Sequence, residues 1–229
     1  MTSIPANLQA VKARIAAASA AAGRDPGEVA LLAVSKTWPA DSVRQAAACG
    51  QRAFGESYVQ EALAKMPALA DLDIDWHFIG PLQSNKTRAV AEHFAWVHAV
   101  DRVKIAERLS QQRLTGLPPL QVCVQVNVSG EASKSGVAPE QAPALCRAVA
   151  ALPRLCLRGL MAIPEPTHDL ALARSRFRLL RELRDRLNGD GLSLDTLSMG
   201  MSDDAETAIM EGATIVRIGT AIFGNRTYA

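Results

Sequence analysis

The sequence predicts an α/β protein: a modified TIM-type (β/α)8 barrel with an extra N-terminal helix. Three observations carry that reading. Eight short apolar runs recur, near residues 29–35, 51–54, 74–79, 95–98, 119–128, 155–161, 194–198 and 213–218. Stretches of helical periodicity separate them, near 39–48, 57–66, 84–92, 101–113, 139–150, 168–187 and 202–210. Several runs, among them "LQVCVQVNV" and "LRGLMAI", are almost continuously apolar, as expected of parallel strands covered on both faces. Eight strand–helix units in about 200 residues fit the short end of a closed barrel. An open doubly wound sheet is the rival architecture.

Each element has its own local reason. Residues 5–22 open the chain as a helix, because Leu8, Val11, Ile15 and Ala18 recur at three and four to make one apolar stripe. Gly23 can end it. The strand–helix alternation then runs from about 29 to 224, with a short final turn after Gly219. "PEPTH" (164–168) is a Pro-rich loop within it. No repeat, low-complexity tract or linker divides the chain, so residues 1–229 read as one barrel domain.

Composition excludes several function classes. The 229 residues are 48% hydrophobic, enough for one sizeable core. Lys plus Arg is 25 and Asp plus Glu is 23, and a net charge of +2 argues against a nucleic-acid or membrane-binding basic face. No basic segment precedes an apolar run at the start, so no signal peptide is expected. No window approaches the roughly 20 apolar residues of a spanning helix. Cys49, Cys123, Cys146 and Cys156 are widely spaced thiols without a CxxC pair, read as packing residues in a reducing cytosol.

Chemistry in a barrel sits at the C-terminal ends of its strands. Those ends read Ser35-Lys36-Thr37, "FGESYVQE" with Ser57, "WHFIGPLQSNK" with His77, a stretch near His98 and Asp101, "NVSGEASKSG", Met161, "SMGMSDD" and "VRIGTAIFG". Small, polar and glycine residues gather there. In "SMGMSDDAETAI" Ser202 can cap a helix while Gly200 permits a tight backbone. In "RIGTAIFG" Gly219 follows the strand and Thr220 opens a short helix. Such loops after strands seven and eight suit a phosphate, and plain capping accounts for them as well. Asp203 and Asp204 favour capping, since acids are also stabilised at a helix N-terminus.

Two cations face a choice of roles. Lys36 is either a surface charge after a strand or, partly buried near another cation, a neutral amine able to attack a carbonyl. Arg217, between Val216 and Ile218, either points outward to a helix carboxylate or aims a permanent positive charge at a ligand heteroatom. His77 follows Trp76 in an apolar run and reads first as a core histidine bonded to backbone. No histidine or cysteine pair has metal-ligand spacing, so no metal is expected. Neither GxxxxGK[ST] nor GxGxxG occurs.

Taken together, "AVSKTWP", "FGESYVQE", "WHFIGPLQSNK", "EASKSG", "LSMGMSDD" and "VRIGTAIFG" resemble the pyridoxal-phosphate homeostasis proteins, single-domain relatives of the alanine racemase barrel. The match runs from about residue 30 to 224 in the family's order and spacing. The resemblance implies a fold-type III-like barrel with pyridoxal 5′-phosphate in its mouth. Lys36 then matches the Schiff-base lysine and Arg217 the arginine facing the pyridine nitrogen. Ser202, Gly219 and Thr220 match the phosphate-binding positions, with Met201 and Ser198 lining that loop and His77 among the cofactor-site residues. One position departs: Ser57 stands where the family usually has asparagine, so a direct cofactor contact there is lost or made through water.

The expected function is cofactor holding rather than catalysis. An arginine donates to a neutral ring nitrogen and cannot take its proton, which leaves the ring a weak electron sink. Racemisation needs acid–base groups on both faces of the α-carbon. In the racemases the second group is a tyrosine from another domain. This chain stops at Ala229, and only Tyr58 and Tyr228 are available. The reading is a cytoplasmic carrier without catalytic residues, passing cofactor to apo-enzymes and forming weak imines with free amino acids. Lys134 is either a second acceptor or a solvated loop lysine. A weak amino-acid racemase and a Schiff-base aldolase are the alternatives.

Overall fold

The computed structural model describes residues 3–131 and 135–225. Lys134 and Tyr228 lie outside the described residues. Eight parallel strands pair in chain order and close on themselves: β1 (Ala30–Val34), β2 (Ala53–Glu56), β3 (Asp75–Phe78), β4 (Trp96–Val100), β5 (Leu120–Gln125), β6 (Leu155–Met161), β7 (Thr196–Ser198) and β8 (Ile215–Ile218). The last strand returns to the first with Ala30 opposite Ile215 and Ala33 opposite Ile218, which removes both sheet edges and the open-sheet alternative. The helices are α1 (Ile4–Ala21), α2 (Ala40–Ala48), α3 (Val59–Lys65), α4 (Thr87–His93), α5 (Val103–Gln112), α6 (Ala142–Ala150), α7 (Leu170–Gly189), α8 (Ala205–Met210) and α9 (Thr220–Phe223).

Alternation along each strand divides the apolar residues between two places. In β1, Ala33 joins the large outer core between barrel and helices, while Leu32 and Val34 turn inward to meet Ile79 and Ile215. Leu8, Val11, Ile15 and Ala18 of α1 form the buried stripe that the sequence spacing predicts, and the helix packs on α8 and α9. Cys123 and Cys146 are buried thiols, and loss of water raises the pKa of Cys146 to about 12, so both stay protonated packing groups.

One boundary differs in an instructive way. Helix α8 starts at Ala205, not at 202, and Ser202 is not its cap. Residues 202–204 form a turn in which the Asp204 carboxylate accepts the Met201 N–H at 2.5 Å. Among the described residues no helix is long and apolar enough to cross a membrane, and no group of His, Cys, Asp and Glu could hold a metal ion.

Candidate functional site

A pocket of about 230 Å³ opens at the C-terminal ends of the strands. Lys36 enters it from the end of β1, Ser57 from the end of β2 and Arg217 from within β8. Met201, Ser202 and Asp203 line it from the loop after β7, and Gly219 and Thr220 from the loop after β8. Val34, Ile79 and Ile163 supply apolar wall. A larger hollow of about 580 Å³ lies at the opposite end of the barrel. There the Arg158 guanidinium is already paired with Asp195 at 2.6 Å, so it offers little free chemistry.

The turn that carries Lys36 is held from behind by a buried ion network. Lys65, near the end of α3, spends its three ammonium protons on the Ser35 carbonyl (2.9 Å), Glu56 Oε1 (2.8 Å) and Glu61 Oε1 (3.0 Å). Ser35 Oγ donates to Glu56 Oε1 at 2.6 Å, and the Thr37 N–H donates to Glu61 Oε1 at 2.6 Å. The residues on both sides of Lys36 are thus tied to one cluster. Thr37 has φ of 70°, a left-handed conformation that costs a non-glycine residue about 1–3 kcal/mol, and the Glu61 bond offsets that strain. Glu56 is fully buried, and its Oε2 has no hydrogen-bond partner among the described residues. Burial raises the Glu56 pKa, against the lowering pull of Lys65 and Ser35.

Arg217 is buried at the pocket floor. Its Nη1 donates to the Ser198 carbonyl (2.6 Å) and Ser198 Oγ (2.8 Å), and its Nη2 donates to the Ala162 carbonyl (2.8 Å). Nε and the second Nη2 proton take no acceptor among the described residues, and Arg217 lines the pocket. Desolvation lowers its pKa to about 10, which still leaves it charged at neutral pH.

Behind Arg217 a chain of buried polar groups runs through Ser198 and His98 to His77. Ser198 Oγ lies 2.7 Å from His98 Nδ1, and His98 Nε2 lies 2.8 Å from His77 Nδ1. The tautomers are assigned from this network. Arginine can only donate, and the fully buried Ser198 hydroxyl has no other acceptor among the described residues, so it donates to His98 Nδ1. His98 then carries its proton on Nε2 and donates to His77. Burial depresses both histidines, His77 to about 3, so both are neutral. His77 also stacks on Trp96, with ring centroids 5.2 Å apart.

Two expectations change here. His77 and Ser198 do not line the pocket, because their side chains are spent on this interior chain. The His77 partner is the His98 ring rather than backbone.

The two glycine loops present unsatisfied backbone. The N–H groups of Ser202, Asp203, Thr220 and Ala221 take no acceptor among the described residues. Gly200 is required for the first loop: its φ is 92°, and a Cβ there would sit 2.6 Å from that of Ala208. Helix α1 fixes both loops, with Arg14 donating to the Ser202 carbonyl at 3.1 Å and Asn7 to the Ile222 carbonyl at 2.9 Å. Trp38, two residues after Lys36, stacks on Phe223 of α9 at 5.9 Å. Glu56, Glu61 and His98 fall in stretches that the sequence places at strand ends but with no role of their own, and Lys65 is signalled only by its spacing of four from Glu61 on a helix.

A closed parallel barrel with a lysine after its first strand, an arginine within its last and free N–H groups at two loops defines a lysine-bearing anion-pocket barrel. The family model described as alanine racemase, N-terminal domain, matches residues 6–227. The pyridoxal phosphate homeostasis protein of Pseudomonas aeruginosa is 66% identical over 100% of this chain and 98% of its own length. That of Escherichia coli K12 is 51% identical over 100% and 99%. The chain belongs to the alanine racemase N-terminal domain family and, within it, to the pyridoxal phosphate homeostasis proteins.

Among solved structures, PipY of Synechococcus elongatus with PLP bound superposes with a TM-score of 0.81 and 40% identity, covering 92% of this chain and all (100%) of PipY. An alanine racemase from Corynebacterium glutamicum shares the fold at a TM-score of 0.70 and 19% identity, with this chain matching 62% of its length.

Proposed function

We propose that this protein binds pyridoxal 5′-phosphate, holds it as a Schiff base on Lys36, and takes part in its supply to apo-enzymes in the cytosol, the whole chain acting as one barrel domain. The observation that carries the reading is convergence. One pocket gathers the Lys36 amine, the spare donors of Arg217 and unsatisfied N–H groups from two loops. Those donors fit the group. Ser202, Thr220 and the loop amides can hold a phosphate, Arg217 can donate to a ring nitrogen, and Lys36 can condense with the aldehyde, releasing water. The PLP-bound PipY supports the same reading.

Bound there, the cofactor supplies an aldehyde that any primary amine can capture. The chain's own residues restrict the chemistry open to it. Arg217 can only donate, with Ser198 and the neutral His98 fixing it from behind, so it would not protonate a ring nitrogen placed against it. Among the described residues, Lys36 and the Asp203 carboxylate are the lining groups able to move a proton, Asp203 from the loop after β7. Tyr58 is exposed and lines a neighbouring cleft, and no tyrosine among the described residues lines this pocket. Amino acids therefore exchange with Lys36 without efficient racemisation. The test is the visible spectrum of the isolated protein before and after borohydride, then peptide mass mapping. The adduct is expected on Lys36; label on Lys86 with Lys36 unmodified would overturn the assignment.

A further inference from the structure

We propose that a cleft beside this pocket, between the loops that follow β2 and β3, binds a small carboxylate with a compact apolar body, with Lys86 as its counter-ion. The cleft has a volume of about 290 Å³ and shares Ser57 with the main pocket. Its floor is apolar, made by Val59, Phe78 and Leu82, all buried. Its rim is polar, made by Tyr58, Gln60, Gln83 and Lys86. Lys86 is half-buried, no acid lines the cleft, and its ammonium has no hydrogen bond or ion pair among the described residues. A half-buried cation without a counter-charge favours an anion. The amide and phenol tips beside it also make no hydrogen bond among the described residues, so they are available to a ligand.

The walls are preorganised. Gly80 lies so close to the Ser57 backbone that a Cβ would be 2.4 Å from the Ser57 carbonyl oxygen, so the two loops lock together. From α5, Arg108 donates to the Ser84 carbonyl at 2.9 Å, and Arg102 just before it donates to the Leu82 carbonyl at 3.2 Å. The backbone around Lys86 is thus fixed while its side chain stays uncommitted. One positive charge with neutral donors matches a carboxylate better than a phosphate dianion, and the floor of Phe78 and Leu82 calls for an apolar body. Amino and keto acids of modest size belong to this class, and seated here they would lie against Ser57.

The inference does not rest on the Lys36 reading. The probe is benzoate, titrated into the full-length protein loaded with pyridoxal phosphate and followed by amide NMR. Shifts centred on residues 57–60 and 80–86 are expected. Lys86→Met should weaken benzoate at least tenfold while circular dichroism and the cofactor absorbance stay unchanged, and benzyl alcohol, the neutral analogue, should not compete. An unchanged affinity in Lys86→Met, equal competition by benzyl alcohol, shifts centred elsewhere, or no shift at all would each overturn the proposal. Loss of the Lys36 adduct would leave the benzoate result untouched, so the two readings fail separately.

Discussion

Replacing Lys65 by methionine tests whether the buried ion network holds the Lys36 turn. The substitution keeps the side chain's length and removes its charge. It leaves Glu56 fully buried beside Glu61 with no cation between them. Removing one partner of a buried ion pair costs about 3–5 kcal/mol, a large part of the roughly 5–15 kcal/mol that holds a domain folded. The loss depends on pH, and the sign comes from Glu56. Its folded pKa lies above its ordinary value of 4.5, so the folded state binds the proton more tightly than the unfolded chain. Stability from that group is greatest below 4.5 and falls as pH rises through the folded pKa. Lys65 is the main group opposing that rise, so without it the folded pKa moves higher and the loss extends further up the scale. Urea unfolding near pH 5 and near pH 8 is the assay. The stability gap between wild type and Lys65→Met should widen toward the higher pH. Adding Glu56→Gln to the variant should remove that part of the pH dependence. A gap under about 1 kcal/mol, or one equal at both pH values, would refute a charged, energetically coupled network.

The same geometry fixes other outcomes. Thr220→Val should weaken pyridoxal phosphate much more than pyridoxal, measured by equilibrium titration of both; equal losses would remove Thr220 from the phosphate grip. The ring resonances of His77 and His98 should not titrate between neutrality and about pH 4, and global stability should fall as pH drops below about 6.5 toward 3. The reason is that the unfolded histidines take up protons their folded forms refuse. An inflection near 6.5 for either ring would break the neutral donor chain. Incubation with L-alanine in deuterated water should give spectral change and slow α-exchange without D-alanine. Rapid formation of D-alanine, lost in Lys36→Ala, would establish a racemase.

What the sequence made legible was whatever depends on short-range periodicity. All eight strands of the closed barrel fall within a few residues of the apolar runs, since a strand buried on both faces writes itself as a run. Lys36, Ser57, Met201, Ser202, Arg217, Gly219 and Thr220 sit at strand ends or within β8, and closure of the barrel brings them to one pocket. The supports were not legible, because they depend on side chains that meet across elements. Glu56 reads as an acid in a short strand and Lys65 as a helical surface lysine. Only the packing of α3 against β1 and β2 shows that they share a buried site. The turn at 202–204 hid for another reason. A serine before two acids fits a helix cap, but Asp204 reaches back to the Met201 N–H and delays the helix.

The division of Arg217's donors is where sequence and structure together reach function. An arginine between two apolar strand residues announces a buried charge, but not which of its five N–H groups are already used. Three are spent on Ser198 and Ala162, anchoring the guanidinium to β7 and to the residue after β6. The rest remain for the pocket. The histidines behind it are neutral and oriented by a one-way chain of donors, while the Asp204 carboxylate lies within electrostatic reach of the guanidinium and helps keep it charged. A site that needed a strong electron sink would place a carboxylate there. Under the proposed function Arg217 would put a fixed donor in that place, while the Lys36 turn is braced by Lys65. On the proposed reading the pocket is a cradle in which Lys36 could capture an aldehyde and give it up to the next amine. A cofactor holder of that kind needs no second proton donor, whereas racemisation would need an acid–base group on each face of the α-carbon.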